Sequence, residues 1–267
     1  MIEGRLNDNL NDKNPNSEVR KPAFRLRSLL SLHRRMGIIS ALFVMLLSVS
    51  GLAIHHSPRL GLDGRFITSS AMLSWYGIKA PDITLGFDLG SHQAALIADA
   101  IYLDSKRLPG IFNSLTGAIE AEFGFVLATS DQLILLTEEG EVIEVLGSVS
   151  GVPKGMGAIG RGAANIYLKV GDDNLVADLN ELSWTPVSIS LPPDPIQWSV
   201  PVETATDIAT EIKADYAGSL LSWDRLILDI HSGRFLGGLG VLLVDIMALL
   251  FMFMAISGVW IWSRRRS

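Results

Sequence analysis

The chain has 267 residues, a formal net charge of −6 and no cysteine, and 48% of its residues are hydrophobic. The lack of cysteine excludes disulfide bonds, thiol catalysis and cysteine-ligated metal sites. The acidic balance argues against nucleic acid and anionic lipid as partners of its polar part.

The first 35 residues are polar and fall into two parts. Residues 1–19 are rich in Asn, Asp and Glu and have little hydrophobic pattern, which predicts a disordered cytoplasmic tail. Residues 20–35 combine basic residues with leucines and a phenylalanine. This composition predicts a basic juxtamembrane segment that lies on lipid headgroups before the chain enters the bilayer.

Two long apolar segments predict membrane spans. The nineteen residues 36–54 carry no charge, and at about 1.5 Å per residue they just cross a hydrocarbon layer of about 30 Å. Residues 235–262 contain one charged residue, Asp245, and are long enough to span with tilt. We therefore predict transmembrane helices at 36–56 and 235–262, rather than soluble core helices or a cleaved signal peptide. An interfacial helix at 220–234, with Trp223 at the headgroups, leads into the second span.

Positive charges stand outside both spans and predict the topology. Arginine and lysine occur six times in residues 20–35, and arginine fills positions 264–266. Between Ser57 and Arg234 there are 11 Lys plus Arg but 23 Asp plus Glu. By the positive-inside rule both termini are cytoplasmic, with 263–267 as a basic cytoplasmic end, and residues 57–219 are periplasmic in a bacterial inner membrane.

The segment between the spans has the pattern of a sheet. Five stretches are rich in β-formers: FGFVLATS, QLILLT, EVIEVL, NIYLKV and NLVADL. They predict antiparallel sheet with two hairpins, around EEG and GDD, which are too few to indicate a propeller or another repeat architecture. From Thr204 to Tyr216 the apolar spacing predicts a helix. The fold class is thus two transmembrane helices plus a β-rich α+β extracytoplasmic domain.

One glycine motif suggests a nucleotide site but lacks the context for it. Gly155, Gly157 and Gly160 spell G-x-G-x-x-G, and the strand-like NIYLKV follows where a dinucleotide site requires a helix. We therefore predict a loop there.

Four of the five histidines lie at membrane boundaries: His33 before the first span, His55 and His56 after it, and His231 before the second. His56 and His231 both belong near the outer face, and two imidazoles on facing helices can ligate a haem iron. From spacing alone, hydrogen bonds to headgroups and water are the favoured interpretation.

The two spans and their flanks resemble the PepSY-associated transmembrane helix family. The first carries LHRRMGIISALFVMLLSVSGLAIHHS, followed by LGLD and WYGI. The second is similar to the family's pattern of a D-x-H-S-G-R entry and an S-G-x-W-x-W exit, in DIHSGR and SGVWIW. The middle domain shows no convincing match to the PepSY fold itself.

This resemblance implies a membrane electron-transfer role. Larger members with four spans include haem-b inner-membrane reductases linked to ferric siderophore use. The family's histidines fall on His33, His56 and His231, and His55 stands where many relatives have asparagine, which leaves the choice between His55 and His56 open. The implied cofactor is haem b, with its iron held by His56 and His231, and the implied activity is that of a membrane oxidoreductase component.

Asp245 is a charged residue within the second predicted span. A carboxyl near the bilayer centre is costly and usually faces a bundle interior or a water path. On a continuous helix it would lie about 40° from His231, on the same face. A hydrogen bond to Ser48 or Ser50 on the neighbouring helix is the alternative.

Two helices cannot enclose a haem, so a homodimer or another membrane subunit is expected in addition to the lipid bilayer and a redox partner. Small residues that permit close helix approach are Gly37, Ser40, Gly51, Gly233, Gly237 and Gly240. The competing hypothesis is a non-enzymatic, membrane-anchored periplasmic binding or regulatory module without cofactor.

Overall fold

The computed structural model describes residues 23–162, 165–187 and 195–266, and for residues 23–29, 265 and 266 it describes the backbone. The predicted tail at 1–19 and the start of the juxtamembrane segment lie outside these ranges. The described residues divide into two compact units, one built from those up to residue 60 together with those from 226 onward, and the other from those between 61 and 225.

The first unit is helical, and two of its helices are long enough and apolar enough to cross a membrane, over Leu30–His55 and Arg234–Arg264. Its elements are α1 (Ala23–His55), α2 (Ser57–Leu60), the end of α5 (Trp223–His231), and α6 (Gly237–Arg266). A 3₁₀ turn (Arg234–Leu236) separates the last two helices. The predicted spans are therefore present, and the chain is a membrane protein.

Helices α1 and α6 pack along one stripe of each helix. On α6 Leu250 and Ser257 are less exposed, and seven further residues of this kind recur at alternating intervals of four and three, which is the spacing of a helix–helix seam. These seven are Gly240, Val244, Met247, Phe251, Met254, Gly258 and Ile261. The other sides of both helices are apolar and exposed, as expected for surfaces that contact lipid.

The second unit is β-rich, and its described strands form three antiparallel sheets. Each sheet contains a meander of four strands that are consecutive in the chain and adjacent in the sheet. The first contains β1 (Ile83–Leu89), β2 (His92–Ile97), β3 (Ala100–Leu103) and β4 (Lys106–Arg107). The second contains β5 (Gly117–Ala121), β6 (Gly124–Ala128), β7 (Leu133–Leu136) and β8 (Val142–Leu146). The third contains β9 (Met156–Arg161), β10 (Ile166–Val170), β11 (Asp173–Asp178) and β12 (Ser183–Val187).

Two short strands late in the chain return to the edges of these sheets. β13 (Gln197–Trp198) pairs with β9, and β14 (Pro201–Val202) pairs with β1. They connect the third meander back to the first. The short helix α3 (Ser70–Trp75) precedes β1, and α4 (Thr206–Gly218) follows β14.

The sheets are stacked, and the second is buried on both faces. Alternate residues of β6 belong to different cores: Phe125 and Leu127 pack towards the first sheet, while Val126 and Ala128 pack towards the third. Because neither face of its central strands β6 and β7 meets water, these two strands are continuously apolar instead of alternating, whereas the edge strands β5 and β8 include exposed residues.

Helix α4 covers the remaining face of the first sheet, where a third core includes Ile212. Two buried tyrosines fasten it: Tyr102 of β3 donates a hydrogen bond to Asp215 (2.8 Å), and Tyr216 of α4 donates one to Asp99 (3.2 Å). Burial, and then the hydrogen bond to Asp215, raise the pKa of Tyr102 above its usual value. Both hydroxyls therefore remain protonated donors at neutral pH.

The first and last segments of the second unit are hydrogen-bonded to each other. The amide of Ile67 donates to the carbonyl of Leu221 (2.9 Å), and the amide of Trp223 donates to the carbonyl of Arg65 (3.0 Å). The segment after the first span and the segment before the second therefore run side by side.

These strands confirm some sequence expectations and correct one. Both predicted hairpins exist, as β7–β8 and β10–β11, and the predicted helix at Thr204–Tyr216 is α4. The G-x-G-x-x-G segment is not a loop. Gly157 and Gly160 lie in β9, where the Trp198 ring of β13 and the Ile196 side chain crowd Gly160 too closely for a Cβ.

The doubly buried second sheet predicts a large cost for cavities within it. Ile134→Ala, at a position with no exposed surface, should lower the free energy of unfolding by about 2–5 kcal/mol. Ile111→Ala, at a position that is 75% exposed, is the matched control and should change it by less than about 0.5 kcal/mol. Urea denaturation of the full chain in detergent, followed by tryptophan fluorescence, measures both, and equal effects would contradict the stacked arrangement.

Candidate histidine sites in the helical unit

Ring and side-chain contacts fix the antiparallel register of α1 and α6. The rings of Phe43 and Phe251 lie 6.4 Å apart, and the position of a Cβ on Gly37 would be 3.2 Å from the terminal methyl of Met254. Glycine at position 37 therefore lets the two backbones approach closely.

At one end of the pair, His231 of α5 is held by α1. Its Nδ1 lies 2.8 Å from the Ser50 hydroxyl, which itself lies 2.8 Å from the Leu46 carbonyl. A hydroxyl has one proton, and with that proton on the hydrogen bond from Ser50 to the carbonyl, we assign Nδ1–H of His231 as the donor to Ser50. The next residue, Gly51, leaves room for the ring, whose Cε1 is 3.5 Å from its hypothetical Cβ.

At the other end, His33 of α1 is held by α6 in the same way. Its Nδ1 lies 2.9 Å from the Ser257 hydroxyl, which donates to the Met254 carbonyl at 3.2 Å. Gly258 makes room for the ring, whose Cε1 is 3.7 Å from the position of a Cβ. His33 and His231 thus have equivalent surroundings at opposite ends of the helix pair.

Each site consists of a Ser-Gly dipeptide on one helix and a histidine from the other part of the chain. The residues 50–51 and 257–258 are both Ser-Gly, which is the sequence signal for this arrangement. The sequence analysis identified the histidines but missed the serines as their partners. In both sites Nδ1 is used as a donor, so Nε2 is the nitrogen with a free lone pair.

His55 and His56 are arranged differently. Their rings lie edge to face with centroids 4.8 Å apart; His55 is exposed and His56 is partly buried. Among the described residues no hydrogen bond joins either ring to His231. The rings of His231 and His33 are thus each held by a hydrogen bond to a serine. The rings of His55 and His56 contact each other at the end of α1.

The prediction for Asp245 was wrong in its geometry. It assumed one continuous helix from His231 to Asp245. Gly233 (φ +79°) and Gly237 (φ +65°), on either side of the 3₁₀ turn, instead interrupt the helix. Asp245 is exposed on α6, and Ser50, one of its two suggested partners, binds His231 instead. Its carboxyl therefore faces the lipid side of the helix pair.

The small residues assigned to a dimer interface are largely used inside one chain. Gly37, Ser40 and Gly51 face α6 or His231, and Ser40 is only 6% exposed. Gly233 and Gly240 press their backbones against each other, with the carbonyl of each where the other's Cβ would be. A second copy therefore needs another face.

The chemistry of the two sites fits histidines that hold a haem iron. A ligating imidazole commonly donates its other N–H to an acceptor, which fixes the tautomer and the ring orientation. Ser50 and Ser257 supply that acceptor. The close packing of α1 on α6 leaves no room for a haem between them, so the rest of its enclosure must come from outside this helix pair. Among the described residues, no three His, Asp or Glu side chains gather as they would around a bare metal ion.

The β-rich unit contains a separate cleft of about 350 Å³ between β1 and α4. Lys213 and Asp82 form an ion pair of 2.7 Å at its lining. The buried Thr204 hydroxyl in the same lining has no hydrogen-bond partner among the described residues.

Comparison with known families agrees with the motifs of the second span. Residues 168–267 match the model of the PepSY-associated TM region. The match begins in β10 and extends through α4, α5 and α6, so the resemblance drawn from DIHSGR and SGVWIW is confirmed for this part of the chain. Neither the comparison with curated proteins nor that with solved structures found a significant match.

The contact of Gly233 with Gly240 predicts that alanine substitutions at two neighbouring glycines of α6 have very different effects. Gly240→Ala should disrupt the turn before α6, because its Cβ would overlap the carbonyl of Gly233. Gly238→Ala is the matched control, since a Cβ there meets nothing within 4 Å. We expect the fraction of chain that stays monodisperse after heating in detergent to fall for the first variant only; equal losses would contradict this packing.

Proposed function

We propose that the chain is a bacterial inner-membrane haem b electron-transfer protein, acting as a component of a membrane oxidoreductase. The observation that carries this proposal is the pair of histidines, His231 and His33, whose Nδ1 atoms are anchored on serine while Nε2 stays free. The resemblance links this role to iron or siderophore reduction, without identifying the electron donor or the acceptor. Haem b, when bound, supplies one-electron transfer.

The residues of the chain have separate tasks in this proposal. His231 holds the iron of an outer haem, and Ser50 sets its tautomer. His56, or its neighbour His55, is the second ligand of that iron. His33, oriented by Ser257, serves an inner site at the opposite end of the helix pair.

Two helices enclose only part of a haem, so this function requires further helices. A second copy of the chain is the simplest source, and it would give a homodimer with four spans; another membrane subunit is the alternative. In a dimer the two copies of His33, one from each chain, could together supply both ligands of a single inner iron.

An absorption spectrum tests the proposal. We expect membrane protein purified without chelators to show a Soret band and, on reduction, split α and β bands. His231→Ala should remove most of the outer haem, and His33→Ala should lower haem content at the inner site. His92→Ala, in the β-rich unit, is the control and should leave the spectrum unchanged.

The result that contradicts the proposal is a colourless protein, or one whose haem content is unaffected by His231→Ala and by His33→Ala. Ser50→Ala gives an independent check of positioning. Because it removes the acceptor of Nδ1–H without removing a ligand, it should shift the reduction potential or ligand-field bands while retaining most of the haem.

A second candidate function is a membrane-anchored periplasmic module that binds or regulates another molecule without a cofactor. One observation favours it: the cleft between β1 and α4 contains the unpaired Thr204 hydroxyl. In that case the His–Ser bonds serve only to join the two spans, worth about 1–2 kcal/mol each. The protein would then contain no haem, and Ser50→Ala would change stability alone.

The proposed topology has its own test. A reporter fused after Ser267 should indicate the cytoplasm, and a reporter inserted in the turn at Glu138–Glu141 should indicate the periplasm. The physical reason is the asymmetry of charge, since arginine and lysine occur six times in residues 20–35 and three times in 264–266, whereas only Arg59 and Arg234 stand close to the spans on the other side. Two reporters on the same side of the membrane would refute the two-pass arrangement.

A further inference from the structure

Only two polar side chains point away from the seam in the middle of the described spans. Between residues 36 and 54 the serines at 40 and 50 are buried, but Ser48 is exposed. Between residues 239 and 262 Ser257 is buried, but Asp245 is exposed. Neither Ser48 nor Asp245 makes a hydrogen bond to a described residue of its own chain. Each therefore presents a polar group to the hydrocarbon.

These two residues lie at the same level of the membrane. Phe43 is level with Phe251, and the helices are antiparallel. Ser48 is five residues beyond Phe43, and Asp245 is six residues before Phe251. At about 1.5 Å per residue, the two levels agree to within a few ångströms.

They also lie on the same broad side of the helix pair. Ser48 follows the seam residue Leu47, and Asp245 follows the seam residue Val244. Each successive residue is rotated by about 100° around the helix axis. In an antiparallel pair, the residues that follow a seam residue on either helix therefore lie on the same side of the pair. The exposed residues Leu46 and Ile246, which each precede a seam residue, lie on the opposite side.

We propose that this side, which we call the Ser48–Asp245 face, binds a second copy of the chain. A two-fold axis along the membrane normal keeps every residue at its own level and places α1 of one copy opposite α6 of the other. Each Ser48 hydroxyl then donates to an Asp245 carboxyl oxygen of the other copy. The result is a four-helix arrangement with two equivalent hydrogen bonds.

The second copy is favoured over another protein because this chain supplies both partners at matching level and side. An unpaired carboxyl in hydrocarbon is costly, and the two-fold arrangement satisfies both carboxyls at once. The same face contains Ala41 and Ala248, one heptad and one turn away, and small residues permit close approach. The interface does not depend on haem, although it would provide the four helices that the proposed haem sites require.

Disulfide cross-linking in membranes tests this interface, since the chain has no cysteine of its own. Copies with Ala41→Cys and one tag are expressed together with copies with Met252→Cys and another tag. Both positions are exposed and lie seven residues from the polar pair on the same side. We expect an interchain disulfide on mild oxidation. The matched control is Ile39→Cys with Phe253→Cys, which are exposed at a similar level on the opposite side and should cross-link at least about tenfold less.

The polar pair is then tested in the cross-linking background. Asp245→Leu should reduce interchain disulfide yield about tenfold, because loss of two membrane hydrogen bonds weakens association by about that factor. Ser48→Ala should act similarly, whereas Asp245→Asn, which keeps an acceptor, should retain most of the yield.

Several outcomes overturn the proposal. They are equal cross-linking on both sides, no interchain product on the Ser48–Asp245 face, or a product that persists undiminished in Asp245→Leu. A product with a different membrane protein would show that the face binds another subunit. Haem content measured on the same membranes keeps the two proposals apart, since a dimer without haem refutes only the electron-transfer function, and haem without the dimer refutes only this interface.

Discussion

The close contact of α1 with α6 is the constraint on which the membrane part depends. Lipid gives no hydrophobic drive for two apolar helices to associate, so packing of small residues and hydrogen bonds must hold them together. This chain places both at each end of the helix pair, in the form of a Ser-Gly dipeptide and a histidine. The same bond that joins the helices also holds an imidazole ring in place, so association of the two spans and orientation of each histidine occur together.

The features that could be predicted from the sequence are those that depend on the composition of short segments. The spans follow from uncharged runs, and the hairpins follow from turn residues between β-rich stretches. The stacking of three sheets could not be predicted in this way. β6 and β7 are apolar on both faces, so their sequence shows that they are buried without showing which residues face which neighbour.

The histidine–serine pairs could not be predicted from the sequence for a similar reason. His33 and Ser257 are separated by most of the chain, and their pairing depends on the register of two antiparallel helices, which single-sequence patterns do not reveal. The error over Asp245 arose from backbone conformation. Gly233 and Gly237 are visible in the sequence, but a sequence does not reveal that both adopt positive φ angles or that Gly233 packs on Gly240. A helical phase argument across such residues therefore fails.

The side-by-side entry and exit of the β-rich unit has a consequence for how this protein is organised. Because the strand-like segments near Arg65 and Trp223 are hydrogen-bonded neighbours, the whole unit occupies the place of a loop in a helical hairpin. An insertion with adjacent ends does not force the flanking helices apart, whatever its size. In such an architecture the membrane hairpin and its inserted domain can diverge independently, so that one membrane-embedded chemistry can be combined with different extramembrane specificities.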